Sequence, residues 1–318
     1  MKVLVTGGAG FIGSHTVLAL RDADYQPVVL DNLSNGHRDA VPADVPFYQR
    51  DITETDAVES ILQIEQVTAV IHFAAFIEAG VSVREPLSFY HNNVYGSACL
   101  LEAMRRAAVQ QIVFSSTAAI FGNPETVPIP ETAAKRPTNP YGETKWAVET
   151  MLRSCDAAYG MRSVALRYFN AAGADPQGRS RERHTPETHL IPLALAAARG
   201  ERPALTIFGT DYPTEDGTCI RDYIHVSDLA DAHVKALAYL EAGHPSDVFN
   251  LGTGSGYSVR QVIETVHHVT GLAVPVQAGA RREGDPVALV ADSQKAQQIL
   301  GWSPRYPHLA DMVRDAWG

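Results

Sequence analysis

The sequence predicts an α/β protein, a doubly wound parallel sheet with a second, smaller α/β domain. Three observations predict it. Short apolar runs alternate with helix-like segments through the first half of the chain. Those runs are apolar throughout rather than at every second position, as strands are when helices cover both faces of a sheet. The first run also breaks into glycines, Thr6-Gly7-Gly8-Ala9-Gly10-Phe11-Ile12-Gly13, where an amphipathic stretch begins.

The elements follow in order. Strands are expected at 3–6, 28–31, 69–73, 112–116 and 164–169, with helices at 11–22, 56–64, 87–107 and 141–159. This alternation builds a parallel sheet with its chemistry at the carboxyl ends of the strands. After Asn170 the pattern breaks. Residues 171–186, rich in Gly, Pro and Arg, read as a loop. A helix at 187–199, a strand at 205–208 and a polar hairpin-like stretch at 209–218 follow. A helix at 226–240 and a strand at 248–251 are expected to return to the first sheet. The domains are therefore 1–170 with about 226–253, and 171–225 with 254–318. Helices at 258–270, 293–300 and 309–317 complete the second.

With 45% hydrophobic and 19% charged residues in 318, a substantial core is expected. The net charge of −10 weighs against nonspecific binding to nucleic acid or an anionic membrane. Cys99, Cys155 and Cys219 are odd in number and far apart, without a CxxC, so no disulfide framework is expected and the cytoplasm is the expected home. The sequence opens on an apolar run read as a core strand, so no signal peptide is expected. The longest near-apolar stretch, 190–198, contains Pro192 and falls far short of the ~20 residues of a membrane span.

Gly7 permits a tight turn, Gly10 lets the backbone approach a pyrophosphate, and Gly13 lets the helix pack on the strand with its first N–H groups aimed at the anion. That predicts a dinucleotide cradle. Asp31, ending the second strand, would accept hydrogen bonds from ribose hydroxyls and repel a 2′-phosphate, favouring NAD over NADP. The run from Asp31 to Gly36 is also good turn sequence. Asp51 is placed to receive an adenine amino group or to cap a loop. Tyr141 and Lys145 lie one helical turn apart on one face, after Asn139-Pro140. A tyrosine, with a pKa of about 10, is a poor base at neutral pH. A nearby ammonium favours its phenolate, and lysine can also hold the cofactor ribose. Ser115-Ser116-Thr117, ending the preceding strand, supplies a hydroxyl that can bind a substrate oxygen while the tyrosine removes a proton. Cys219, Asp222 and His225 can be drawn as a metal site, but lack a good fourth ligand and a recognisable spacing, so no metal is expected.

The TGxxGxxG opening, the strand-end hydroxyl and the YxxxK helix resemble the extended short-chain dehydrogenase/reductase superfamily, whose sheet is a Rossmann fold. Within it the whole chain is similar to the UDP-glucose 4-epimerase family. The matching segments are 3–16, 31–36, His72-Phe73-Ala74-Ala75, Asn92-Asn93, Asn139-Pro140-Tyr141-Gly142 with Lys145, Arg167-Tyr168-Phe169-Asn170, 208–226 and Arg281-Arg282-Glu283-Gly284-Asp285. The stretch from Asp211 to Val226 is the most specific of these.

The resemblance implies roles. Tyr141 would be general base and acid, Lys145 its electrostatic and ribose-binding partner, and Thr117 the hydroxyl bridging to the sugar. Phe11, Ile12, Asp31, Asn32, Asn35, Gly36, Asp51, Ile52, Phe73, Ala74, Ala75, Asn92 and Phe169 would contact NAD, with the glycines of the turn. Asn170, His189, Leu190, Thr206, Ile207, Phe208, Arg221, Arg282, Asp285 and Leu289 would line the UDP-hexose site. Two arginines far apart in sequence supply the forked donors a diphosphate needs. The resemblance also implies an isomerase of nucleotide-sugar and galactose metabolism, working through a 4-keto sugar, and a homodimer pairing through the 87–107 and Tyr141 helices.

Three positions depart from the family pattern. Thr117 stands where many members have Ser, and keeps the hydroxyl. Ile77 and Glu78 fall where some members carry a cofactor-contacting Lys. Leu289 falls where a large Tyr goes with restriction to plain hexoses, so activity on UDP-N-acetylglucosamine is expected as well. A nucleotide-sugar 4,6-dehydratase would need a Thr-Asp-Glu pattern, whereas Thr117 is followed by Ala118-Ala119. A regulatory NAD-sensing protein would be expected to lose Tyr141 or Lys145, and both are present.

Overall fold

Alternate residues of the first strand, β1 (Lys2–Thr6), enter two different cores, Val3 and Val5 on one face and Leu4 on the other. This is the consequence of a period-2 strand that is apolar on both sides. The computed structural model describes residues 1–282 and 285–318; Glu283 and Gly284, in the matched segment 281–285, lie outside the described residues. After β1 come α1 (Phe11–Asp22), β2 (Gln26–Leu30), β3 (Phe47–Tyr48), α2 (Thr55–Ile64), β4 (Ala69–His72), α3 (Ala79–Arg84), α4 (Pro86–Phe89), α5 (Gly96–Arg106), β5 (Gln111–Thr117), α6 (Pro140–Tyr159) and β6 (Arg162–Tyr168). The second half holds β7 (Asn170–Ala172), α7 (Leu190–Ala198), β8 (Leu205–Phe208), β9 (Ile220–His225), α8 (Val226–Glu241), β10 (Asp247–Leu251), β11 (Gly256–Ser258), α9 (Val259–Thr270), β12 (Val276–Gly279), β13 (Ala288–Leu289), α10 (Gln294–Leu300) and α11 (Leu309–Trp317).

The main sheet has seven strands in the order β10-β6-β5-β4-β1-β2-β3, every pair parallel. On one face α1 and α8 contribute Val17, Leu20, Leu229 and Leu237. On the other, α2, α5 and α6 contribute Val58, Leu62, Leu100, Val148 and Leu152. The strand order reverses between β1 and β4, which opens a crevice at their carboxyl ends. The strand expected at 248–251 does join this sheet, as β10, beside β6.

A second, four-stranded sheet is centred on β9, which pairs β11, β13 and β7. β8 pairs β12 apart from it. Helices α7, α9 and α11 enclose a third core around Ile191, Val262, Val266 and Met312. β7, β9, β11, β12 and β13 lie outside the expected strands. β7, β11, β12 and β13 have two to four residues, and every pairing, that of the six-residue β9 included, is with segments remote in sequence, so periodicity does not reveal them. The expected 87–107 helix is instead α4, a wide π-helical turn at Tyr90–Tyr95, and α5. The expected 187–199 helix begins at Leu190, because Glu187 folds back onto the N–H groups of Thr188 and His189. The stretch 209–218 forms no strand; its turns close through Tyr212 N–H to Gly217 O and Thr214 Oγ1–H to Thr218 O.

Candidate active site

The start of α6 is fixed by three local features. Asn139 caps it, accepting the Gly142 N–H at 2.9 Å; Pro140 supplies a preset φ at its first turn. A Cβ on Gly142 would come within 2.7 Å of Ala119 O, so only glycine lets the helix end rest against the turn that follows Thr117. Tyr141 and Thr117, remote in sequence, thereby share one end of the sheet. The Tyr141 N–H donates to Ser82 Oγ at 3.1 Å, and its carbonyl accepts from Thr144 Oγ1 at 2.7 Å. Thr117 ends β5, and its Oγ1 accepts the Ala119 N–H at 3.1 Å.

Lys145 is 2% exposed, and its Nζ donates to Ser115 O at 2.9 Å. Burial pulls its pKa down to about 7. An ammonium has three donors, and this is the one bond it makes to a described residue. Burial pushes the Tyr141 phenol up from its ordinary value; hydrogen bonding with Thr117 pulls it down and the Glu78 carboxylate adds to the rise. Burial comes first among these causes, because it penalises a phenolate as it does an ammonium.

Behind these groups lies a buried scaffold. Arg167 and Glu149, each 2% exposed, pair through Nη2–Oε2 at 2.6 Å and Nε–Oε1 at 2.9 Å. Ser116 Oγ donates to the same carboxylate at 2.6 Å, tying β5, β6 and α6 together. His72 bridges Thr6 Oγ1 and Ser97 Oγ at 2.7 and 2.9 Å. Asn93 continues to Phe76 and Thr144. The sequence reading missed this scaffold: its polar residues sit inside apolar runs, and only the fold pairs them.

The crevice fits a dinucleotide. No side chain caps the N-terminus of α1, so its first N–H groups are open to an anion. A Cβ on Gly10 would meet Gly7 O alone, at 3.4 Å, so the surrounding protein leaves room for a ligand beside that glycine. Asp31 accepts the N–H of Ala9 at 2.9 Å through one oxygen and that of Leu33 at 2.8 Å through the other. It therefore does turn work, and a carboxylate retains further lone pairs for ribose hydroxyls. Asp51 accepts from Asn32 Nδ2 at 2.8 Å and from Thr53 N and Oγ1. Burial raises its pKa, but these bonds outweigh burial and leave it low. Ile52 is buried under Gly96, Ala74 crosses Gly7, and Asn92 donates to Asn93.

The second group gathers around β8 and β9. Arg221 Nη2 donates to Asp285 Oδ1 at 2.6 Å. The Arg282 guanidinium lies over the Phe208 ring at 4.1 Å. Leu289 pairs with Arg221 across β13 and β9. With Phe169, Leu289 packs on the cluster of Ala118, Ile120 and Phe121 that follows Thr117, which links the two groups. Asn170 Nδ2 donates to Asp222 O at 3.0 Å. Ile207 is buried, and Thr206 Oγ1 accepts from Gln277. His189 faces Glu187 and Glu182 on the loop before α7, at 2.7 and 3.9 Å, rather than the arginines. Cys219, Asp222 and His225 are not a ligand set: Asp222 accepts from Thr253, Gly254 and Ala291, while His225 accepts from Ser227 N and meets Asp315.

The model of the NAD dependent epimerase/dehydratase family matches residues 3–252. The UDP-glucose 4-epimerase of Halalkalibacterium halodurans is 53% identical over 100% of this chain and 95% of that protein. The UDP-glucose 4-epimerase of Brucella ovis in complex with NAD superposes with a TM-score of 0.97 at 48% identity, covering 99% of this chain and 97% of the other. That of Bifidobacterium longum with NAD+ and UDP gives 0.94 at 36%, covering 100% and 97%.

Proposed function

The chain belongs to the NAD dependent epimerase/dehydratase family, and from that premise we propose how its residues carry out the reaction. It is an NAD-dependent isomerase that interconverts UDP-galactose and UDP-glucose at the sugar C4. In our reading Tyr141 takes the proton of the sugar 4-hydroxyl and later returns it, while Thr117 bridges to the same oxygen. NAD, when bound, supplies the hydride acceptor and donor for C4 and a cationic ring that favours the Tyr141 phenolate. Lys145 holds the ribose with the donors that Ser115 leaves free. Arg221 and Arg282 grip the diphosphate, so the nucleotide stays fixed while the 4-keto sugar turns over its other face. The convergence of Tyr141, Lys145 and Thr117 at one end of the sheet is the observation that carries this reading.

We assign residues 1–170 with about 226–253 to NAD and 171–225 with 254–318 to the UDP-sugar, supported by the separate sheets around β1 and β9. Leu289, beside Arg221, leaves more room than an aromatic ring, which supports turnover of UDP-N-acetylglucosamine too. Val83, Leu87, Tyr90 and Tyr95 are 62%, 83%, 42% and 53% exposed. Such an apolar face supports a homodimer through this segment. No helix among the described residues is long and apolar enough to cross a membrane; with three free cysteines this supports a cytoplasmic site. The test is incubation of purified protein with UDP-galactose and no added reductant. Accumulation of UDP-glucose is expected, and its absence overturns the assignment. A background rate on UDP-N-acetylglucosamine would reject the broader specificity, and a monomer in light scattering the dimer.

A further inference from the structure

The loop between β7 and α7 carries Glu182, His184, Glu187 and His189, and proton transfer at C4 uses none of them. Glu182 is held in place by its own backbone: Oε1 accepts the N–H groups of Arg183 and His184 at 2.8 and 3.0 Å. The same oxygen lies 2.6 Å from His184 Nδ1, and Oε2 lies 3.9 Å from His189 Nδ1. One donor atom from each of the three residues falls within 4.8 Å of the others. His184 Nδ1 is sealed from solvent, yet its contact with Glu182 is too poorly aimed to count as a hydrogen bond. A buried nitrogen beside a fixed carboxylate, without a well-directed bond between them, is a pair that a cation between them would satisfy.

We propose that Glu182, His184 and His189 form a binding site for a divalent transition metal, best suited to Zn2+. Two imidazoles and one carboxylate are a borderline ligand set that zinc favours. With metal–ligand bonds of about 2.0–2.2 Å, tetrahedral donors stand roughly 3.4 Å apart, and the contacts of 2.6 and 3.9 Å bracket that spacing. Glu187 is the nearby fourth donor, its Oε1 lying 2.7 Å from His189 Nδ1. The ion would pin a loop whose residues Arg181 to His184 line one small cavity with Ala9, Gly10 and Phe11. The site uses no group assigned to the proton transfer, and it shares His189 with the UDP-hexose lining that the resemblance implies.

The test uses the NAD-loaded protein, freed of metal by a chelator that is then removed. Titration with Zn2+ by calorimetry is expected to show binding at this site, and Co2+ to give the visible absorption of a tetrahedral site. His184→Ala and Glu182→Gln are each expected to weaken binding at least tenfold, and His244→Ala, at an exposed imidazole elsewhere, to leave it unchanged. NAD content and metal-free epimerase turnover verify that the variants are folded; should His184→Ala fail there, Glu182→Gln decides. Absence of binding, or binding by a folded Glu182→Gln equal to that of the parent, overturns the proposal. An epimerase failure would show instead as lost turnover with zinc binding intact.

Discussion

The two halves of the candidate site are built on opposite physical plans. Around Tyr141 the groups stand on regular elements of the main sheet and are sealed from water: Lys145, Glu149 and Arg167 are each 2% exposed. Around Arg221 they stand on short strands and loops joined across long stretches of sequence, and their ion pairs meet solvent. The Arg221 and Asp285 side chains are 14% and 26% exposed, and those of Arg281 and Asp211 41% and 75%. The same pairing of guanidinium with carboxylate therefore has different consequences. Where water is excluded, a charge left alone is costly; at the surface, solvent replaces the lost partner. The first half suits chemistry that needs fixed groups and tuned protons. The second, in the proposed function, grips a hydrated diphosphate that must later leave.

The comparison breaks first at Tyr141. Tyr141→Phe is expected to lower turnover by roughly 10²–10⁴-fold, the usual worth of a general acid–base group, while bound NAD measured after denaturation stays at parent level. Near-normal turnover would remove the assigned base. Next comes the buried pair. Glu149→Ala should cost about 3–5 kcal/mol in urea unfolding, because it strands the Arg167 charge. Glu149→Leu with Arg167→Leu should recover much of that loss, whereas Asp211→Ala on the surface should cost no more than about 1 kcal/mol. Equal losses at the two places would erase the contrast between the halves.

On the substrate side, Arg221→Leu removes charge-assisted bonds worth about 1.5–3 kcal/mol. The expected readout is a KM for UDP-galactose raised roughly 10–100-fold, with kcat changed less. A kcat loss matching that of Tyr141→Phe would place Arg221 with the chemistry instead. The remaining effect is a pH slope. Burial lowers His72 to about 3 and His233 to about 4, both from 6.5. Folding therefore holds these rings neutral: their contribution to stability is complete above about pH 6.5 and is lost as pH falls toward the folded values. Each should approach about 1.4 kcal/mol per pH unit within that window. Urea midpoints compared at pH 7 and pH 5 test it, and no decline would mean that neither ring is buried as described.

What the chain determined by itself is what repeats locally. Glycine spacing, the apolar runs of β1, β2, β4, β5 and β6, and the Asn139-Pro140 start of α6 are written within a few residues, because helix and strand periods and caps act over one or two turns. Tyr141 and Lys145 were therefore legible as a pair. Tertiary structure alone decided what meets across the sheet: Gly142 resting on Ala119, Glu149 closing on Arg167, Leu289 beside Arg221, and β9 drawing in β7, β11 and β13. It also decides how Tyr141 and Lys145 are packed, which raises the phenol and lowers the amine. Desolvation depends on everything packed around a group, and no local stretch of sequence carries that information.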